Sequence, residues 1–358
     1  MSISPNLVSI LQFITALATL IFIHELGHFV AAKVMKIEVE EFGIGFPPRM
    51  IRLFTAGGTI FSLNWIPLGG FVRPKGENNP EIAGGLAAAN PWARIFVLIA
   101  GPAVNLLAGA VLFGFIYLQI GGPVKDEVVV LYIAPGSPAE QAGLAVDDVF
   151  VSIDNQTWDD IDEFQDIVKE YLGKSVVLKL LRGENEYEVE LVPRSSHPTT
   201  EGPIGIGIGN PLAKVDAGQA FVLGGEMVAS QIRMLIELPA NFRSGQVSSD
   251  EMRVVGYKGL FDIYADLSES DKKSSNQNSG INVLGFFASI SVSLGLFNLL
   301  PIPALDGGRI LFAIPEILFR KRVPTNFENV LHLLFFAVLI LFLIYVNVQD
   351  FVNPVVLP

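Results

Sequence analysis

Two histidines and a glutamate lie close together near the start of the chain, in the stretch IFIHELGHFV at residues 21–30. His24, Glu25 and His28 spell the pattern H-E-x-x-H. Side chains four positions apart share one face of a helix, so the two imidazoles can bind the same zinc ion. The glutamate between them is placed to take a proton from a zinc-activated water without being a ligand itself. The pattern predicts metal-assisted hydrolysis, with His24 and His28 as ligands and Glu25 as the base.

The surroundings of this motif are apolar enough for the interior of a lipid bilayer. His24 lies nine residues before Lys33, about 14 Å along a helix, which puts it inside a hydrocarbon core about 30 Å thick. Ionisable groups at that depth are costly unless they have partners, and they are functional by default. A bound dication would give all three side chains a partner. The alternative is a set of interfacial or pore-lining polar residues.

A third ligand is required, because catalytic zinc usually takes three protein ligands and a water. The chain has no cysteine and four histidines. Asp306, in FNLLPIPALDGGR at 297–309, is the acidic residue near the end of another apolar segment. The prolines before it end the helix and the glycine pair after it allows close backbone approach, so Asp306 can turn back into the interior. Its alternative role is a helix cap. His197, in a proline-rich loop, and His332, alone in an apolar segment, are not predicted to be ligands.

The composition is that of a membrane protein with one aqueous insertion. Of 358 residues, 51% are hydrophobic and 17% are charged, and the mean hydropathy is +0.48, too apolar for an ordinary soluble protein. The net charge of −12 argues against a nucleic-acid partner, because nothing would neutralise the phosphates. Residues 120–280 carry 26 acidic and 13 basic side chains, and the remainder has a net charge of +1.

Four segments are long enough to cross a bilayer, which takes about 20 apolar residues. They lie at about 6–34, 91–120, 281–300 and 329–348. A signal peptide is the alternative for the first segment, but a basic n-region and an A-x-A-like site are missing.

Lysine and arginine are concentrated in two of the loops, whereas the first twelve and last twelve residues contain neither. By the positive-inside rule, the loops between the first two and between the last two segments are cytoplasmic, and the acidic insertion lies outside. The basic residues of these loops are Lys33, Lys36, Arg49, Arg52, Arg73, Lys75, Arg94, Arg309, Arg320, Lys321 and Arg322.

The acidic insertion alternates strand-like and helical stretches. VVVLYI, VFVSID, SVVLKLL and YEVELV have the β-branched, period-2 character of strands. Ser137 to Ala142 is predicted to be a short helix with Ser137 as N-cap and Pro138 at N1. Further on, residues 217–239 are predicted to form an amphipathic helix on the membrane surface, and 267–280 a mobile polar linker.

The motifs HELGH, EFGIGFPPR, IPLGGFVRPKGE, AGPAVNLLAG and FNLLPIPALDGGR, with a PDZ-like GSPAEQAGL turn, cover nearly the whole chain. Together they resemble bacterial site-2 proteases of the regulator-of-sigma-E protease type, zinc metalloproteases that cut within the membrane. The resemblance implies that His24, His28 and Asp306 bind zinc and that Glu25 is the catalytic base.

The same resemblance implies how substrate is held. Asn298 would hold the substrate backbone near the metal, and Gly69 and Gly70 are further candidates for substrate binding. The region of residues 58–74 would be a re-entrant β-hairpin that adds an unwound substrate segment as an extra strand. Taken without the resemblance, this region is an ordinary cytoplasmic hairpin.

The predicted fold is a polytopic α-helical membrane protein with four transmembrane helices, a re-entrant β-hairpin and an inserted extracytoplasmic PDZ domain. The domains are an N-terminal membrane part, the PDZ domain, an amphipathic helix with linker, and a C-terminal membrane part, at 1–120, 121–210, 211–280 and 281–358. Many relatives carry two PDZ domains, whereas this chain has room for one. Asp147-Asp148 stands where the PDZ pattern usually has Gly-Asp.

The predicted substrates are single-span membrane proteins of the cell membrane, such as a pre-cleaved anti-sigma factor or remnant signal peptides, after an upstream site-1-type protease has acted. The PDZ domain is expected to be either a size filter or a groove for a new C-terminus. Two other classes of function remain as alternatives. A proteolytically dead scaffold would lack metal ligands, which are present, and an ion-relay transporter would show paired ionisable groups across several spans or inverted repeats, which are not seen.

Overall fold

A computed structural model describes residues 5–198, 201–243, 253–273 and 280–354. The chain divides into two compact units. The first, here called the membrane unit, comprises Met1–Tyr117 and Ala220–Pro358, and the second, here called the inserted unit, comprises Leu118–Gln219.

In chain order the helices are α1 (Pro5–Val34), α2 (Pro91–Ile120), α3 (Pro138–Gln141), α4 (Ile161–Glu170), α5 (Ala217–Arg243), α6 (Tyr257–Lys273), α7 (Ile281–Leu299), α8 (Asp306–Phe319) and α9 (Thr325–Val352). Helices α3 and α4 lie in the inserted unit, and the other helices lie wholly or mostly in the membrane unit. Within the described residues, α1, α2, α7 and α9 are long and apolar enough to cross a membrane. This confirms the prediction of four span-length apolar helices.

Glycines allow these helices to approach closely. A Cβ atom on Gly27 of α1 would lie 2.6 Å from the Ala100 carbonyl oxygen of α2, and one on Gly295 of α7 would lie 2.8 Å from the Pro102 carbonyl oxygen. Helices in lipid gain stability from such close packing of small residues, because no hydrophobic effect drives them together. The glycines therefore bring α1 and α7 against α2.

A long β-hairpin follows α1, formed by β1 (Val39–Ala56) and β2 (Thr59–Pro74). The hairpin folds back on itself. Residues 41–44 pair with 70–73 on one side and with 60–63 on the other, and residues 49–56 pair with 59–64. The prediction of a hairpin at 58–74 had the wrong bounds, since that range is only the second strand. The first strand was missed because its apolar residues do not alternate regularly around two glycines and two prolines.

One buried carboxylate ties these four strand segments together. Glu41 accepts hydrogen bonds from Arg49 at 2.5 Å and from Ser62 at 2.7 Å, and Arg73 lies 3.2 Å away. Each of the four residues belongs to a different segment, and Glu41 is only 2% exposed. A buried charge is stable only when it is paired and hydrogen-bonded, so this cluster fixes how the hairpin folds.

The loop between α7 and α8 makes a tight turn before Asp306, which is the first residue of α8. A Cβ atom on Gly307 would lie 2.2 Å from the Leu300 carbonyl oxygen, and one on Gly308 would lie 2.3 Å from the Ile302 carbonyl oxygen. This confirms that the glycine pair permits close backbone approach.

The segment before α7 differs from its prediction. The predicted linker begins at residue 267, but residues 267–273 form the end of α6, so the prediction was wrong for this part. Residues 274–279 of the predicted linker lie outside the described part of the chain, and Gly280 is the N-cap of α7. The helix predicted for 217–239 is present as α5, which continues to Arg243, and its position on the membrane surface stays a prediction. Polar composition suggested a linker, but Asp271 accepts the Val283 backbone N–H at 3.0 Å and so joins α6 to α7.

The inserted unit has an antiparallel sheet of five strands in the order β7-β6-β5-β4-β8, and β3 pairs with β9. The strands are β3 (Gly122–Pro123), β4 (Val128–Ile133), β5 (Val149–Ile153), β6 (Val176–Arg182), β7 (Asn185–Leu191), β8 (Ile206–Gly209) and β9 (Leu212–Ala213). Alternate side chains of these strands pack with α4 in one apolar core, with Phe164 and Leu178 almost fully buried. The four predicted strands are confirmed, whereas β8 was missed because it is short and half glycine.

Two local predictions in this unit can be compared with the structure. Ser137 caps α3 by accepting the Glu140 backbone N–H at 3.2 Å, as predicted. Asp147 has φ +72°, the left-handed region that favours glycine, at the position where glycine is usual. Asp148 is fully buried and accepts hydrogen bonds from Arg182 at 2.6 and 2.7 Å and from the Ala145 N–H at 2.8 Å. Burial alone would raise the pKa of Asp148, but these hydrogen bonds lower it below its usual value.

Candidate metal centre

The three predicted ligands come together within the membrane unit. His24 and His28 lie on one face of α1 and are 7% and 9% exposed. The loop after α7 brings Asp306 back to the same face. One ligand atom from each residue lies within 4.8 Å of the other two.

The spacing of these atoms can be compared with what zinc requires. Nε2 of His24 lies 3.2 Å and Nε2 of His28 lies 3.3 Å from Oδ2 of Asp306, and the two Nε2 atoms are 3.1 Å apart. Zinc bonds of about 2.0–2.2 Å at tetrahedral angles separate neighbouring ligand atoms by roughly 3.3–3.5 Å. Two nitrogens and one oxygen also form a donor set typical of catalytic zinc. The three side chains therefore fit a zinc ion with little movement.

Each histidine has a partner for its other ring nitrogen. Nδ1 of His28 lies 2.7 Å from the Val97 carbonyl oxygen. A carbonyl can only accept, so Nδ1 carries the proton and Nε2 keeps its lone pair for the metal. Nδ1 of His24 lies 3.4 Å from Nδ2 of the Asn105 side chain, which is fully buried. A ring that binds metal through Nε2 carries its proton on Nδ1, so the amide must turn its oxygen toward the ring, and that oxygen has no other hydrogen-bond partner among the described residues. The prediction did not include Asn105, although a polar side chain inside the span AGPAVNLLAG was a signal for it.

Space for the His28 ring is created by a glycine on α2. A Cβ atom on Gly101 would lie 2.3 Å from Nε2 of His28, far inside van der Waals contact. Nε2 is the predicted ligand atom, so this glycine leaves room for the edge of the ring that faces Asp306.

The Glu25 side chain contacts the hairpin. Its Oε2 accepts the backbone N–H of Val72 at 3.1 Å. A Cβ atom on Gly70 would lie 3.7 Å from Cγ of Glu25, and one on Gly69 would lie 2.4 Å from the Ile21 side chain. These two glycines therefore let β2 approach α1 beside Glu25. Their role in substrate binding stays a prediction.

A cavity of about 280 Å³ opens beside the three ligands. Glu25, Phe71, Val72, Asn298 and Arg309 are among its lining residues. The Asn298 amide donates to the Leu294 carbonyl oxygen at 2.9 Å, one turn back on α7. Its predicted hold on the substrate backbone would need this bond to be exchanged, and it stays a prediction.

An ion pair that the prediction did not include lies at the wall of this cavity. Arg309 of α8 pairs with Glu77, which follows the hairpin. Near it, Arg94 of α2 pairs with Glu316 of α8 at 2.5 Å. These pairs link α8, which begins with Asp306, to the segment after the hairpin and to α2. Sequence alone gave no signal for them, because the partners are 222 to 232 residues apart.

His197 is exposed and lies 3.0 Å from the Pro198 carbonyl oxygen in the inserted unit. Neither His197 nor His332 belongs to the metal-binding group found among the described residues.

Comparisons with known proteins agree with this geometry. The profile of peptidase family M50 matches residues 12–342. A Clostridium acetobutylicum protein, assigned by its description as a zinc metalloprotease, is 31% identical over 350 residues, or 96% of this chain and 97% of the relative. A Nostoc relative with the same kind of description is 32% identical over 90% of each chain. The zinc metalloprotease RasP of Oceanobacillus iheyensis is 28% identical over 432 residues, or 96% of this chain and 98% of the relative.

Two solved structures match part of the chain. The PDZ domain of an SdrC-like protein from Listeria monocytogenes covers 24% of this chain and 92% of its own, with 20% identity and a TM-score of 0.22. The second domain of a listeria protein covers 25% of this chain and 84% of its own, with 28% identity and a TM-score of 0.19.

Proposed function

Because the chain belongs to peptidase family M50 and is a multi-pass membrane zinc metalloprotease, we propose that it cuts the transmembrane segments of single-span membrane proteins. The observation that carries this proposal is the group of three ligand atoms, 3.1 to 3.3 Å apart, on or beside span-length helices. A site on helices that cross the bilayer would meet peptide bonds that lie within it.

We propose that His24, His28 and Asp306 hold the zinc. When bound, zinc supplies Lewis-acid activation of a water and of the scissile carbonyl. Glu25 lines the same cavity and accepts the water proton, which it then passes to the leaving amine. The N–H of Val72 holds one oxygen of the Glu25 carboxylate, so the base is oriented by the backbone of the hairpin.

A transmembrane helix protects its own peptide bonds, so substrate must unwind before attack. We propose that the unwound segment pairs with residues 70–73 of β2. This segment pairs with 41–44 on one side, and in the described part of the chain no further strand pairs with its other side. Phe71 and Val72 line the cavity, so a strand added there by backbone hydrogen bonds would pass beside Glu25.

Glu25→Gln is the sharpest test, in a reconstituted assay with purified enzyme and a single-span substrate. Loss of the base should reduce cleavage by at least about 100-fold, while zinc content stays equal to that of the wild type. Cleavage at the wild-type rate by a folded, zinc-loaded Glu25→Gln protein would contradict the assigned role.

A groove in the inserted unit favours a second, binding function. It has a volume of about 270 Å³ and lies between α4 and the edge strand β8, with Phe164, Val168, Ile206 and Ile208 among its lining residues. We propose that it takes the C-terminus of a substrate already cut by an upstream site-1-type protease, by adding it as a strand to β8. A size filter for substrate ectodomains is the alternative.

Peptide binding to the full-length enzyme separates these two functions. Fluorescence anisotropy of an apolar peptide with a free C-terminus should give binding that Val168→Glu abolishes and that C-terminal amidation weakens. Equal binding of both peptide forms would contradict carboxylate capture. The size filter instead predicts that a bulky ectodomain grafted onto a cleaved substrate slows cutting by the wild type and by Val168→Glu alike.

We propose that the enzyme lies in the cell membrane with the inserted unit outside and the loop at residues 320–324 in the cytoplasm, by the positive-inside rule. The chain has no cysteine, so single cysteines report sidedness without background. Lys174→Cys should react with an impermeant maleimide in intact cells, and Lys321→Cys only after permeabilisation. The reverse pattern would invert the proposed orientation.

A further inference from the structure

A histidine of the last span contacts the loop that carries the third metal ligand. His332 lies on α9, and its Nδ1 accepts the backbone N–H of Ala304 at 2.7 Å. Ala304 is two residues before Asp306, in the loop between α7 and α8. The contact joins residues 28 positions apart and was not foreseen, because His332 was the single histidine of an otherwise apolar segment.

The backbone of Ala304 needs such a contact. Its φ is +85°, in the left-handed region where a Cβ atom crowds the following carbonyl. A strained residue of this kind persists only when surrounding contacts hold it. The N–H of Ala304 is the group that His332 holds, so the bond acts on the strained residue itself.

The tautomer of His332 follows from this hydrogen bond. A backbone N–H can only donate, so Nδ1 of His332 is unprotonated and the neutral ring carries its proton on Nε2. Nε2 is buried and makes no hydrogen bond within the described residues. Oε1 of Glu328 lies 3.8 Å from it on the same helix, so this carboxylate favours a proton on Nε2. Nδ1 of His332 is therefore free to accept the Ala304 N–H of the loop.

We propose that His332 is a positioning residue, whose Nδ1 holds Ala304 in the left-handed conformation that delivers the Asp306 carboxylate to His24 and His28. This inference rests on the proposed role of Asp306 as a zinc ligand. His332 itself does not touch the metal site. Without its acceptor, the loop relaxes and Asp306 withdraws from the two imidazoles.

Two substitutions separate the acceptor from the packing of the ring. The His332 ring contacts the Phe312 ring edge to face, with centroids 5.5 Å apart at 64°. His332→Phe keeps an aromatic ring at this contact and removes the acceptor. His332→Asn removes the ring and keeps an acceptor oxygen at the position of Nδ1.

Zinc affinity of the full-length protein in detergent, measured by competition with a fluorescent chelator, is the readout. We expect His332→Phe to bind zinc at least about tenfold more weakly, and His332→Asn to stay within about threefold of the wild type. A packing role predicts the reverse order, and either that order or wild-type affinity of His332→Phe overturns the proposal. If His332→Phe does not fold, His332→Gln replaces it, because its amide lies one bond further out and misses the Ala304 N–H.

Asp306→Asn in the same assay tests the underlying site. If this protein binds zinc as tightly as the wild type, the assigned ligand is wrong. If it loses zinc while His332→Phe does not, only the positioning role fails. Thermal unfolding of the metal-free proteins checks that the compared variants share a folded state.

Discussion

The two sides of the candidate metal centre are held by different kinds of structure. His24 and His28 lie four residues apart on a continuous helix, and their spacing follows from helix geometry alone. Asp306 follows an irregular loop, and its position depends on close backbone contacts and on single hydrogen bonds such as that from Ala304 to His332. A helix sets local geometry through its period, whereas a loop must be held by residues far along the chain. Substitutions on the aspartate side should therefore reduce zinc affinity more than substitutions on the histidine side.

The largest effect is expected from Gly307→Ala, on the aspartate side. Its Cβ would lie 2.2 Å from the Leu300 carbonyl oxygen and 2.3 Å from that of Leu299. Both are backbone atoms, so no side-chain rotation relieves the clash and the loop must move. Chelator competition should show zinc affinity reduced by about 100-fold. Gly225→Ala, where a Cβ meets nothing within 4 Å, is the control, and equal affinities of the two variants would contradict the role of the turn.

A smaller loss is expected from Gly101→Ala, on the histidine side. The added Cβ lies 2.3 Å from Nε2 of His28, but a tilt of this ring on its helix relieves part of the clash. Zinc affinity should fall by about 10- to 100-fold, less than for Gly307→Ala. Gly285→Ala is the matched control within a span, because its Cβ meets only the end of Ile116 at 3.6 Å. A larger loss for Gly101→Ala than for Gly307→Ala would reverse the comparison.

Asn105→Leu should have a milder effect, because it removes only the contact to Nδ1 of His24. The helix still presents the ring, so zinc affinity should fall by about tenfold. Asn105→Asp should keep the affinity near that of the wild type, since a carboxylate accepts the Nδ1 proton. An unchanged affinity for Asn105→Leu would mean that the helix alone orients His24.

The smallest effect on zinc is expected from Asp148→Asn in the inserted unit, which serves as a baseline. Zinc affinity should not change. The free energy of unfolding of this unit should fall by about 1–2 kcal/mol, a modest value because the Arg182 side chain is 42% exposed and solvent screens its pairing with Asp148. The pKa of Asp148 is lowered by folding, so its contribution is present above the unfolded pKa of about 3.9 and is lost as pH falls through the folded value. Unfolding curves of the wild type and Asp148→Asn should therefore converge in acid, and a constant gap would contradict the pairing.

Sequence reasoning reached those features whose cause is local. The helical period groups His24 with His28, apolar length predicts the four spans, and β-branched alternation predicts β4 to β7. Asp306 was reached because prolines and glycines around it predict a turn. What sequence reasoning missed depends on distant contacts. The fold of β1 depends on Glu41 and its partners in three other segments, and the contacts of Asn105 and His332 cross between helices.

Helix α9 is held by hydrogen bonds near both of its ends, and many of its apolar side chains between them are exposed. His332 holds the N–H of Ala304 near the start, and the buried Asp350 accepts the N–H groups of Gly256 and Gly259 at 2.8 and 3.0 Å near the end. These two anchors are 18 residues apart, about 27 Å of helix, close to the roughly 30 Å thickness of the hydrocarbon layer. We expect a bilayer of a different thickness to act on both anchors at once. Lipid chain length should then affect the position of the loop that carries Asp306.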